Sequence, residues 1–171
     1  MVKFTSEQKS IERMDNMVLE EKKVKNICNF YVSDYHLEIM LLPYISKKID
    51  NEENITIITE IDLESTLNVV IERINLDKDK KEKIKKIGWN IQNIENIIPN
   101  TNVILIGSKK FINEKVFELK ERQVETLEII ACYNYNEVKN DMKEIVSKYD
   151  GMLNTLGINK ISKSFSWVTF C

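Results

Sequence analysis

Short aliphatic and β-branched runs alternate along this chain with longer stretches of helical spacing, and that alternation governs what it can fold into. Val24–Val32, Ile55–Thr59, Val103–Ile106 and Leu127–Tyr133 are the runs. Each has the length and composition of a strand, and none shows the apolar/polar alternation of a sheet with one wet face. Each is followed within a few positions by a residue able to cap a helix: Ser33 or Asp34, Asp62, Ser108, and Asn134 or Asn136. Strand–helix repetition of this kind predicts an α/β domain of three layers, with a mostly parallel sheet of four to five strands.

The helical stretches are uneven. Residues 5–22 place Ile11, Met14, Met17 and Val18 on one side, against Glu12, Arg13, Asp15, Glu20 and Glu21. They predict an amphipathic N-terminal helix (1–23) ahead of a single α/β domain (24–171). The helix after Asp34 contains Pro43, so a kink or break is expected there. Asp62 is expected to open a helix to about Ile74, Ser108 one to about Arg122, and Asn134 or Asn136 one to Tyr149. Ile84, Ile87, Ile91, Ile94 and Ile98 recur at steps of 3 and 4, as in one helix or in two interrupted near Gly88. A short strand at Lys86–Trp89 is the competing reading. Asp150-Gly151 reads as a turn, and Ile161–Phe170 alternates like a terminal strand.

Scarce residues exclude much chemistry. The chain has 171 residues and only 4 Gly, none of them spaced as Gly-x-Gly-x-x-Gly or as a P-loop. One histidine, His36, rules out two-histidine metal motifs, and Cys28, Cys132 and Cys171 are too far apart for a Cys-x-x-Cys pair. No cofactor and no metal is therefore expected. Lys and Arg total 25 against 27 Asp and Glu, for a net charge of −2, which leaves no global field for nucleic acid. No apolar run approaches the ~20 residues of a membrane span, and the first residues lack the apolar stretch of a signal peptide. A cytoplasmic protein without membrane or nucleic-acid partners is the expectation.

In open parallel sheets, ligands bind beyond the carboxyl ends of the strands, where helix N-termini converge. That rule nominates Ser33, Asp34 and His36 after the first run, and Glu60 and Asp62 after the second. It adds Ser108 and Lys109 after the third, and Tyr133, Asn134, Tyr135 and Asn136 after the fourth. Several of these can serve simply as caps. An imidazole in a helix's first turn can also act as a base, with Asp34 or Glu60 orienting it. Were the chain a hydrolase or transferase, His36, Asp34 and Ser108 or a cysteine would carry it. Gly107-Ser108-Lys109-Lys110 suits an anion through bare N–H groups and two ammonium charges. Tyr31, Tyr133 and Tyr135 offer stacking faces for a planar ligand.

Ile27-Cys-Asn-Phe-Tyr31, the apolar helix ending at Leu42-Pro-Tyr44-Ile45, the run Ile55–Thr59, and Ile129-Ile-Ala-Cys-Tyr133 followed by Asn134-Tyr-Asn-Glu-Val138 are similar to DcmR-type sensory (MEDS) domains over about residues 25–150. Those domains are relatives of the RecA/KaiC fold without a working P-loop. The resemblance implies sensing or signalling without ATP hydrolysis. The expected function is a non-catalytic regulatory module that binds a small ligand or a protein partner. The alternatives are the enzyme above or an assembly protein dimerising through a terminus.

Overall fold

The computed structural model describes residues 24–90 and 94–162. The helix expected over 5–22, Ile91, and the tail from residue 163 lie outside the described residues. The strands are β1 (Lys25–Tyr31), β2 (Asn54–Thr59), β3 (Thr101–Ile106), β4 (Thr126–Asn134), β5 (Gly151–Asn154) and β6 (Gly157–Lys160). The helices are α1 (Asp34–Asp50), α2 (Glu64–Arg73), α3 (Lys78–Lys86), α4 (Lys109–Glu121), α5 (Tyr135–Val138) and α6 (Met142–Val146). One six-stranded sheet runs in the order β2-β3-β4-β1-β5-β6. Every neighbouring pair is parallel except β5 with β6.

Both faces of the sheet are covered, which explains the unbroken apolar strands. Ile27, Ile57, Ile104, Ile106 and Ile130 point to one face and pack against Leu37, Leu41 and Ile45 of α1, Leu67 and Ile71 of α2, and Ile84 of α3. Cys28, Ile58, Val103, Leu105, Ile129 and Ala131 point to the other and meet Ile112 and Leu119 of α4, Val138 of α5, and Ile145 and Val146 of α6. The period of two along each strand sorts these sets, and each fully buried Leu or Ile contributes roughly 1.5–3 kcal/mol.

Four details depart from the sequence expectations. The helix α1 continues through Pro43 without a break. Pro43 sits on the exposed side, where the missing N–H leaves only the Ile39 carbonyl without its helical donor. The isoleucine series is interrupted near Gly88, as its two-helix reading expects, but only the first half is an α-helix. The helix α3 stops at Lys86, Gly88 takes a left-handed φ of 85°, Lys86–Trp89 is not a strand, and Ile94–Ile97 form a turn. Trp89, only 1% exposed, anchors that stop by donating its indole N–H to the Ile84 carbonyl at 2.9 Å. The helix expected to reach Tyr149 is divided into α5 and α6, and Asp141 N–H bonds back to the Val138 carbonyl at 2.8 Å between them. Finally, Gly151 does not end the sheet but begins β5, so a β5–β6 hairpin brings the strand number to six. Apart from Gly151 and Gly157, only Met152 and Leu153 in β5 and Ile158 in β6 are not Asn or Lys, so the hairpin lacks an apolar run.

Candidate functional site

The strand order creates one natural mouth. From β1 the chain crosses on one face, through α1, to the edge strand β2; from β4 it crosses on the other face, through α5 and α6, to β5. The adjacent strands β1 and β4 thus send the chain in opposite directions, and their carboxyl ends form the switch point where such sheets take ligands. Because β1, β2, β3 and β4 are all parallel, the four nominated segments share this edge.

Several nominated side chains are held by local bonds. Ser33 Oγ accepts from the His36 N–H at 3.2 Å, and His36 Nδ1 accepts from the Val32 N–H at 3.2 Å. Asp62 accepts from the N–H of Glu64, the first residue of α2, at 2.9 Å, but it stands two positions ahead and Leu63 holds the cap position. Asn134, and not Asn136, is the cap of α5: its Oδ1 accepts from the Asn136 N–H at 3.0 Å.

The link between β2 and β3 is longer in range. Glu60 accepts from the Ser108 N–H at 2.7 Å, and Ser108 Oγ donates to the same carboxylate at 3.3 Å while accepting from the Phe111 N–H at 3.2 Å. A carboxylate of this chain therefore occupies the N-terminus of α4, the place where an external anion would sit. Lys109 turns to Asp141 at 3.2 Å and Glu144 at 3.4 Å. Lys110 lies near Glu114 at 3.8 Å. The Ser108 N–H and the two ammonium groups read as an anion cradle thus have partners within the chain.

The three tyrosines separate. Tyr133, 2% exposed, belongs to the second core, where its ring stacks on Phe30 at 5.9 Å and its hydroxyl meets that of Tyr149 at 2.6 Å. Tyr31 is buried on the opposite face, and Tyr135 is 39% exposed at the start of α5. The Tyr31 hydroxyl holds its proton more tightly than usual, first because it is buried, then because the carboxylates of Asp34, Glu137 and Glu60 add negative charge nearby. Carboxylates that follow three different strands thus converge electrostatically on one hydroxyl at the mouth.

Glu38 is a feature the sequence reading passed over. It is fully buried on α1, where Thr66 of α2 donates to its Oε1 at 2.5 Å and Oε2 has no hydrogen-bond partner. Burial raises its carboxyl to about 7, a shift that the Thr66 bond opposes and Asp34 reinforces. A signal was present: Glu38 stands at helical spacing from Leu41, Leu42 and Ile45, a charge inside an apolar stripe.

The residues nominated for catalysis are not joined by hydrogen bonds. His36 bonds to Val32 and Ser33, and Ser108 to Glu60 and Phe111. Cys28 and Cys132 are both fully buried; burial pushes the Cys28 thiol up to about 12 and raises Cys132 as well, the reverse of what a thiolate nucleophile needs. Among the described residues, no group of three or more His, Cys, Asp or Glu is placed to hold a metal ion, and no helix is long and apolar enough to cross a membrane. No family model, curated protein or solved structure matches the chain.

Proposed function

We propose that this chain is a non-catalytic regulatory or sensory module whose small-molecule ligand binds over the carboxyl ends of β1 and β4. The reading rests on one observation: the parallel order sets Asp34, His36, Glu60 and Tyr135 along one carboxyl edge whose switch point lies between β1 and β4, while the residues a catalyst would use are separately engaged or buried. Resemblance to sensory domains that lack a P-loop points the same way. The charge near Tyr31 favours a small organic cation over a phosphate ligand, since the carboxylates of Asp34, Glu137 and Glu60 all act on that group. The exposed rings of Tyr35 and Tyr135 add flat surface for its apolar part.

A thermal-shift series with organic amines and guanidines, set beside nucleotides and carboxylic acids, tests this reading. A micromolar amine at millimolar dose adds roughly 4 kcal/mol of stability, and Asp34→Asn with Glu137→Gln should remove most of that gain. Stabilisation by the nucleotides instead, or by nothing in either set, would count against the proposal.

A further inference from the structure

A groove of about 560 Å³ runs along the outer side of α1, walled by Ile39, Leu42 and Pro43 and by Ile74 and Leu76 of the α2–α3 connection. Ile39, 53% exposed, heads this wall, and Leu42 and Pro43 follow it at helical spacing. Isolated apolar side chains on a surface need no explanation, but a contiguous stripe along one helix marks a contact surface. We propose that this groove is the seat of the segment around Ile11–Val18 of the same chain, with Ile11, Met14, Met17 and Val18 as its apolar anchors.

Length, position and charge agree on this occupant. The groove wall on α1 runs from Ile39 to Asp50, ~17 Å at helical rise, and the anchors from Ile11 to Val18 span ~11 Å, so they fit along it and residues 19–23 remain as the link. The segment also joins the described chain at the right place. Lys25 at the start of β1 and Lys48 in the last turn of α1 lie on one carboxylate, Glu128, at 3.9 Å and 3.0 Å. From Val18 to Val24 the backbone spans up to ~20 Å, enough to pass from that point to the groove. On the groove rim Asp50 is paired with Lys80 at 2.7 Å, whereas Lys47 has no ion pair among the described residues. Glu12, Asp15, Glu20 and Glu21 supply carboxylates to meet it. Apolar anchors at steps of three and four are what a helix-sized groove accepts.

The test uses the full chain with a photo-reactive benzophenone amino acid in place of Lys47, an exposed rim position. After irradiation, peptide mapping should find the cross-link within residues 5–22, in a product of monomer mass. Met14→Glu with Met17→Glu should cut the yield about tenfold, the factor expected from losing ~1.4 kcal/mol of apolar burial, while Lys9→Gln, outside the apolar and acidic sets, leaves it within twofold. Circular dichroism of each variant verifies that the fold is unchanged. Cross-links to residues 163–171, cross-links between two chains, or a yield insensitive to Met14 and Met17 would each overturn the proposal.

Discussion

Glu60, just past the end of β2, lays its carboxylate 2.7 Å from the backbone N–H of Ser108 at the head of α4. Two strand ends that lie far apart in the chain are thereby tied by one charge-assisted bond. The tie requires Gly107: a Cβ there would stand 2.6 Å from Phe111 Cδ1 and 2.8 Å from Glu60 Oε2.

Gly107→Ala should therefore destabilise the fold by about 1–3 kcal/mol, because the ring and the carboxylate must both move. Glu60→Gln keeps the shape and loses the charge, and should cost only about 0.5–1 kcal/mol at this exposed site. Urea titration of both variants checks the order. If Glu60→Gln proved the more harmful, the close-packing account of Gly107 would be mistaken.

Glu38 gives stability a particular pH dependence. Its carboxyl is raised to about 7 in the folded chain from the ordinary 4.5, so between those values the folded state binds more protons than the unfolded. Its contribution is fully present below about pH 4.5 and is lost as pH rises through 7. Glu38→Gln should leave stability at pH 4 nearly unchanged and raise it at pH 8 by about 1–3 kcal/mol, provided the amide takes the Thr66 bond. Denaturant melts at the two pH values decide the matter; a gain of equal size at both would refute it.

Tyr44 and Lys48 meet on Glu128, with the phenol donating at 2.7 Å and the ammonium at 3.0 Å. Removing the hydroxyl in Tyr44→Phe should cost about 1–2 kcal/mol, since the half-buried carboxylate loses a donor it was folded to receive. The double variant with Glu128→Gln should cost less than the sum of the two single changes. Strict additivity in the thermodynamic cycle would mean that the groups are energetically independent.

The thiols of Cys28 and Cys132 should resist alkylation. Both are buried and both hold their protons more tightly than a free cysteine, so iodoacetamide at pH 8 should modify neither in the native chain and both in guanidinium. Peptide mapping after timed labelling measures this. Rapid native modification of Cys132 would restore it as a candidate nucleophile.

The sequence by itself determined the elements that carry their own physics. Strands β1 to β4 were legible because their central positions, buried on both faces, carry runs of apolar and β-branched residues, and the starts of α1 and α4 because Ser33 and Ser108 bond to N–H groups three residues on. From these the α/β class and the shared carboxyl edge followed. Tertiary structure alone decided the rest. Gly151–Lys160 becomes a hairpin only because β1 offers β5 an open edge. The anion cradle at Ser108 is filled by a carboxylate from 48 positions away. Tyr133 and Tyr31 share a residue type and a neighbourhood yet face opposite cores. Local patterns record what a residue does with its near neighbours, whereas pairing, burial and charge across the sheet depend on which distant segments the strand order brings alongside.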